Sequence, residues 1–295
     1  MNAFDITAGG IAFIGFGEAA EAFATGWGHD AVENLRAYDP KCDDPEAAAL
    51  PRERAARSGV SLAADRVSAL SGARAVFCLV TADRAVEAAT QAAEFLTPGT
   101  FWLDGNSCSP GAKRRACDIV EAAGARYVDV AIMAPVYPKL HHTPLLIAGP
   151  HAAEAESFLS ALDMRAKLAG DAVGDASSIK MIRSVMIKGM EALTAECLLA
   201  ARRAGVEERV LASLQASNPG IDWPVQAAYN LERMMVHGRR RAAEMREVAA
   251  TLAELDLPNG LALATADWQQ RIGDLALPAL ENDLSVRADM ILSAL

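Results

Sequence analysis

Ile11-Ala12-Phe13-Ile14-Gly15-Phe16-Gly17-Glu18-Ala19-Ala20 is an apolar run that breaks at a glycine turn and continues as a helix-forming segment. That order is the context a G-x-G-x-x-G/A dinucleotide fingerprint needs. Gly15 permits the tight turn. Gly17, lacking a side chain, lets backbone approach a pyrophosphate. Ala20 stands at the third glycine position and is small enough for helix to pack closely on strand. The helix that follows aims its free amides and its positive dipole end at the phosphates. Gly15, Phe16, Gly17, Glu18, Ala19 and Ala20 are therefore the first candidate cofactor contacts.

Working outward, Asn34-Leu35-Arg36-Ala37-Tyr38 reads as a second strand closed by Asp39. A carboxylate there accepts ribose hydroxyls and repels a 2′-phosphate, which favours NAD. Lys41 nearby keeps NADP as the second option. Further strands are read at Ala75–Val80, Phe101–Asp104, Arg126–Val130 and Leu145–Ala148, with helices at Ala19–Gly26, Pro51–Arg57, Asp83–Phe95 and Ser109–Ala123. The alternation predicts a Rossmann-type, doubly wound parallel α/β sheet with right-handed crossovers. Ligands bind beyond the carboxyl ends of such strands, so the residues just after them matter most. Those are Leu79, Val80 and Thr81 at the end of the third candidate strand, and Asn106 and Ser107 after the fourth. Asn106 is read as a cofactor contact and Ser107 as a substrate contact; the competing reading of both is plain turn and cap chemistry. Ser109 is an expected N-cap with Pro110 in the first helical turn.

The pattern changes near residue 170. Gly174-Asp175-Ala176-Ser177-Ser178 leads into a helix expected from Ser177 to Ala204, ended by Gly205. Beyond it the chain reads as helical, with breaks at Asn218-Pro219-Gly220, Leu257-Pro258-Asn259-Gly260 and Pro278. The expected organisation is a dinucleotide-binding domain over 1–174 and an all-α C-terminal domain over 175–295, joined by the long interdomain helix. Residues 1–9 read as a loose tail.

Composition narrows the function. The chain has 295 residues, is 52% hydrophobic and carries a formal charge of −10, which disfavours binding to a phosphate backbone. Five cysteines without a C-x-x-C pair fit reduced thiols rather than disulfides or a zinc site. No secretory signal pattern and no apolar run long enough to span a bilayer is seen, so a cytoplasmic protein with no membrane partner is expected. The neighbouring His141 and His142 have no carboxylate or cysteine at ligand spacing and are not read as a metal site.

Chemistry needs a proton acceptor, and Lys180, flanked by Ile179, Met181 and Ile182, is the candidate. Apolar surroundings strip solvation from an amine and bring its pKa toward the working range. By spacing alone, a lysine on a helix has its tip in water.

A resemblance bears on the choice. Gly15-Phe16-Gly17-Glu18-Ala19-Ala20, Asp104-Gly105-Asn106-Ser107-Cys108-Ser109-Pro110, Asp129-Val130-Ala131-Ile132-Met133-Ala134-Pro135 and Gly174-Asp175-Ala176-Ser177-Ser178-Ile179-Lys180 are together similar to motifs of the β-hydroxyacid dehydrogenase superfamily. That group includes 3-hydroxyisobutyrate and 6-phosphogluconate dehydrogenases. The resemblance implies an NAD(P)-dependent oxidoreductase acting on CH–OH, with Lys180 as general acid–base and a small-molecule substrate in the cleft between the domains. It also implies a homodimer through the helical domain.

The chain departs from the family's pattern in places. Met133-Ala134-Pro135 stands where the family has Ser-Gly-Gly, and Ser184 replaces the asparagine four residues after the lysine. Met133, Ala134, Ser184, His237 and Arg240 complete the expected substrate contacts. The run from His237 to Met245 and the segment Lys180…Lys188-Gly189 resemble a divergent, phosphogluconate-dehydrogenase-like branch with a characteristic helical C-terminal domain. Arg240 has a competing reading as a solvated partner of Glu244. Two functional alternatives stay open: an NADPH-dependent imine reductase on the same fold, and a non-catalytic NAD-binding sensor or scaffold.

Overall fold

The computed structural model describes residues 10–28 and 35–295. The expected tail over 1–9 and the expected strand start at Asn34 lie outside the described residues. The chain divides into two compact units, one ending at Met181 and the other running Ile182–Leu295.

The first unit is built on eight strands: β1 (Gly10–Ile14), β2 (Arg36–Tyr38), β3 (Ser61–Leu62), β4 (Ala73–Cys78), β5 (Phe101–Asp104), β6 (Arg126–Ile132), β7 (Leu145–Ala148) and β8 (Ala166–Gly170). They form one sheet in the order β3-β2-β1-β4-β5-β6-β7-β8. Helices α1 (Glu18–Trp27), α2 (Ala49–Ser58), α3 (Arg66–Leu70), α4 (Ala85–Ala92), α5 (Pro110–Ala122) and α6 (Ala152–Ala161) connect them. The doubly wound α/β expectation is met. One pairing departs from the parallel order: β7 runs antiparallel to β6. A parallel return needs a crossover, usually a helix, and between these strands the chain makes only the short 3-10 turn Leu140–His142. Two strands went unread, β3 because it has two residues and β8 because its surface is largely exposed. β4 ends at Cys78 rather than Val80, so Leu79 and Val80 leave the sheet.

Alternation along the strands feeds two cores. Phe13, Phe77, Leu103 and Val128 face one side with Phe23 and Trp27 of α1. Ala12, Val76, Trp102 and Tyr127 face the other with Ala89 of α4 and Val120 of α5. Side chains of period two on both faces require a sheet covered on both sides, which is why the strands are apolar almost throughout.

α7 (Asp175–Arg203) runs through the division between the units. The second unit continues as α8 (Glu207–Ser217), α9 (Trp223–Glu254), α10 (Gly260–Asp274) and α11 (Leu284–Ala294). The expected breaks fall between helices, except that Gly260 opens α10. Gly205 takes a left-handed φ of +70° just past α7, and Asp222 caps α9 by accepting from the Val225 amide. The core of this unit joins Leu198, Leu199, Leu231, Met234, Met235, Ile272 and Ile291.

α9 and α10 touch backbone to backbone. A Cβ added at Gly238 would fall 2.4 Å from the Gln269 carbonyl oxygen, and one at Gly273 would fall 2.5 Å from the Arg239 nitrogen. Alanine gains about 1 kcal/mol over glycine in a helix, yet here it meets rigid backbone. We expect Gly273→Ala to lower the unfolding free energy by about 1–3 kcal/mol, as overpacked sites do. Urea denaturation reads this directly, and a stabilised variant would contradict the close crossing.

Candidate functional site

The carboxyl ends of β1, β4 and β5 interlock. Gly15 leaves β1 with φ +87°, and its amide donates to the Tyr38 carbonyl at 2.8 Å. A Cβ there would sit 2.6 Å from the Leu79 carbonyl oxygen, so both conformation and space require glycine. Leu79 in turn donates to Ile14, while Gly105 donates to Cys78 and leaves no room for a Cβ beside the Leu79 side chain. Asp39, buried at the end of β2, ties the turn to its neighbour. It accepts from the Phe16 amide at 2.7 Å and from the Lys41 amide at 2.9 Å, one on each oxygen.

Three observations fit a dinucleotide at this turn. A Cβ added at Gly17 meets nothing within 4 Å, so the backbone there faces open space. Gly17 is the N-cap of α1 and offers no side chain to it, leaving the first-turn amides for an anion. The Asn106 side chain, 3% exposed, donates to Asp104 and to the Cys78 sulfur, while its Oδ1 is buried with no partner. An orphaned acceptor costs about 1–3 kcal/mol unless a ligand donor meets it. Glu18 and Ala19 are half-buried in the opening turn of α1, and Ala20 is buried against the core. Val80 is half-buried and Thr81 exposed, just after β4.

Beside this turn lies a charge centre that sequence reading passed over. Lys113 of α5 is fully buried. Its ammonium donates to the Asp104 carbonyl at 2.5 Å and to Asp104 Oδ1 at 3.1 Å, and pairs with Asp129 Oδ1 at 3.4 Å. Burial alone would depress an amine, but Asp104 and Asp129 outweigh it and hold Lys113 above its ordinary range. Asp104 also accepts from the Tyr127 hydroxyl at 2.7 Å. Burial and the neighbouring carboxylates push that phenol well up, so it stays a donor. Burial likewise raises the Cys78 thiol, with Asp104 adding to the effect.

Asp129 carries the centre to α7. Its Oδ2 accepts from the Gly174 amide at 3.1 Å, the Ser177 amide at 3.0 Å and the Ser177 hydroxyl at 3.1 Å. A carboxylate from β6 thus caps the start of α7, where the dipole favours negative charge. One turn on, the Lys180 amine donates to Ser107 Oγ at 2.6 Å. Met133 packs with Ala176, a turn before Lys180 on the same helix, and Ala134 beside it is half-buried. Ser109 caps α5 by accepting from Ala112, with Pro110 in the first turn. Of the expected residues, Asn106 and Ser107 thus follow β5, Met133 follows β6, and Lys180 reaches Ser107.

The other three expected contacts lie in the second unit. Ser184 is buried and accepts from Lys188 at 3.3 Å. Lys188 pairs with Glu244 at 2.8 Å, and Glu244 pairs with Arg240 at 2.6 Å. Arg240 is thus in the i,i+4 pair that its competing reading gave. His237 is half-buried; burial, then Arg233, Arg240 and Arg241, lower its pKa to about 4, so it is neutral near pH 7. Arg241, Glu191 and Gln269 form a second buried polar group. Lys188 is legible in sequence through the resemblance of the segment Lys180…Lys188-Gly189 to the divergent branch, and, eight residues after Lys180, it falls on the same stripe of α7.

The whole arrangement matches known proteins. A family model described as the NAD binding domain of 6-phosphogluconate dehydrogenase matches residues 10–174. A second, described as a domain of unknown function (DUF1932), matches residues 201–272. A conserved hypothetical protein from Sinorhizobium meliloti 1021 is 37% identical, with 99% of this chain and 98% of that one covered and a TM-score of 0.74. Conserved protein MTH1747, whose structure was described as similar to 3-hydroxyacid dehydrogenases, is 29% identical, with 94% and 98% covered and a TM-score of 0.66. The 3-hydroxyisobutyrate dehydrogenase of Mycobacterium tuberculosis, solved with L-serine, shares the fold at 19% identity, with 96% and 99% covered and a TM-score of 0.68.

Lys113→Met would leave Asp104 and Asp129 buried without their cation. Removing one partner of a buried pair costs about 3–5 kcal/mol. We expect urea denaturation at pH 7 to show a loss of that size. A change within the noise of the measurement would contradict the buried centre.

Proposed function

This chain belongs to the family of the NAD-binding domain of 6-phosphogluconate dehydrogenase and is an NAD(P)-dependent oxidoreductase; on that premise we propose that it moves hydride between the cofactor and a carbinol or carbonyl carbon. The observation that carries the reading is the Lys180 amine, 2.6 Å from the Ser107 hydroxyl beside the buried and partnerless Asn106 Oδ1.

The dinucleotide, when bound, accepts or supplies the hydride. Gly15, Phe16, Gly17 and the first turn of α1 would hold its phosphates. Asp39 would accept from its ribose: each carboxylate oxygen already takes one backbone amide and keeps a second lone pair. That arrangement favours NAD over NADP, since a 2′-phosphate would meet a fixed negative charge.

Lys180, as its free amine, takes the proton of the substrate hydroxyl; as its ammonium it returns the proton to the carbonyl oxygen. Ser107 holds the amine in place and offers a hydroxyl to the same oxygen. Met133 and Ala134 present a less polar wall than Ser-Gly-Gly would, which suits a bulkier or less polar substrate than a small 3-hydroxyacid. In the second unit, Ser184, His237 and Arg240 are the proposed substrate-binding set.

Lys180→Ala should lower kcat roughly 100-fold or more, the ordinary scale of general acid–base catalysis, with cofactor affinity retained. NADH and NADPH absorbance across a panel of hydroxyacids, alcohols, carbonyls and cyclic imines gives the measurement. Near-normal kcat in the variant would sink the role of Lys180. Turnover confined to imines would point to imine reduction, and bound NADH with no turnover at all would point to a sensor.

A second copy of the chain is the proposed partner. Ile182, Met186, Met190 and Leu193 form an exposed apolar stripe at helical spacing along α7. Light scattering should give a dimer, and Met186→Glu with Leu193→Glu should give a monomer; a monomeric wild type would contradict the assignment.

A further inference from the structure

Folding supplies what the sequence around His141 and His142 lacks. Asp163 arrives just after α6 and places its Oδ2 2.8 Å from Nε2 of His142 and 4.0 Å from Nε2 of His141. One ligand atom from each of the three residues lies within 4.8 Å of the others. Two ligands on a tetrahedral zinc, each at about 2.0–2.1 Å, stand roughly 3.3 Å apart. The observed separations lie on either side of that value, so small side-chain shifts close the geometry.

The three groups are held from behind. His141 and His142 end the 3-10 turn Leu140–His142, and the His142 amide donates to the Lys139 carbonyl at 3.0 Å. Asp163 donates its amide to the Ser160 carbonyl at 3.0 Å. Arg165 pairs with Asp163 Oδ1 at 3.2 Å and leaves Oδ2 to the histidines. The side chains are 12%, 43% and 63% exposed for His141, His142 and Asp163, so one ligand is anchored and two open to solvent. An ion can enter without unfolding the unit.

The inner ring turns one nitrogen inward and the other toward Asp163. Nδ1 of His141 is buried against Gly26, where an added Cβ would fall 2.0 Å from it. Gly26 lies in the last turn of α1, the end at which unpaired carbonyls gather negative charge. Nδ1 has no hydrogen-bond partner there, and Nε2 on the other side of the ring faces Asp163 Oδ2.

We propose that His141, His142 and Asp163 form a site for a divalent first-row transition ion of the Zn²⁺ type. Two imidazoles and a carboxylate suit such ions, whereas Mg²⁺ and Ca²⁺ take oxygen sets. The ion ties the β6–β7 connection to the end of α6. Gly26 is nine residues beyond Gly17, about 13 Å along α1, so the site is independent of the dinucleotide turn and of the oxidoreductase reading.

The test uses full-length protein stripped with a chelator. Zn²⁺ is titrated by calorimetry and Co²⁺ by visible absorption, in the wild type, His142→Gln and Asp163→Asn. Expected are one ion per wild-type chain, tetrahedral Co²⁺ bands, a Zn²⁺-dependent rise in Tm, and affinity weakened roughly tenfold or more in each variant. Both altered side chains reach solvent, and unchanged NADH binding in the same samples registers an intact fold. No ion bound by the wild type, or equal binding by all three proteins, overturns the proposal; the second result would move the ion to a cysteine.

Discussion

Lys113 sits between Asp104 and Asp129, and none of the three side chains is exposed to solvent. Each charge pays several kcal/mol of lost hydration on entering such a place. One cation faces two carboxylates, and the surplus negative charge is met by oriented dipoles. These are the Tyr127 hydroxyl, the Asn106 amides, and the amides of Gly174 and Ser177. The arrangement is worth its desolvation only if every member stays in register, because a half-satisfied buried network costs more than an apolar one. That requirement fixes the end of β5, the middle of β6, the start of α5 and the first turn of α7 against one another.

Position follows from that constraint. With the start of α7 pinned by Asp129, a lysine one turn on has a defined place, and its amine meets Ser107 at the end of β5. The glycine turn after β1 is locked to the same edge through Leu79 and Asp39, by a backbone contact too close for any larger residue at Gly15. The sheet thus presents a tightly held glycine turn, the proposed phosphate site, and an amine from separate parts of the chain. The second unit builds its polar interior differently, with Lys188, Glu244 and Arg240 in one group and Arg241, Glu191 and Gln269 in another, all on long helices.

The parts legible in the sequence are those whose physics is local. The strand–turn–helix at Ile11–Ala20 needs only neighbours to be read, and so do the Ser109 cap, the Gly205 stop and the helix breaks at proline and glycine. Lys180 was reached by resemblance rather than by spacing, which left its tip in water. Lys113 could not be found that way. In sequence it is one lysine among arginines on an amphipathic helix, and only the arrival of Asp104 and Asp129 on adjacent strands makes it a buried cation. Asp163 is a similar case, 21 residues from His142 in the chain yet hydrogen-bonded to it. The antiparallel return of β7 was missed because alternation of apolar runs carries no strand direction.

The relation between the glycine turn and Lys180 is tested most directly by a crystal structure of the protein with NADH bound. The predicted result has the pyrophosphate on the first turn of α1, the ribose on Asp39, and the reactive ring carbon close enough to Lys180 that a substrate atom about 3–3.5 Å from each can sit between them. A dinucleotide bound elsewhere, or a ring lodged where no substrate could touch both it and the Lys180 amine, would contradict the assignment.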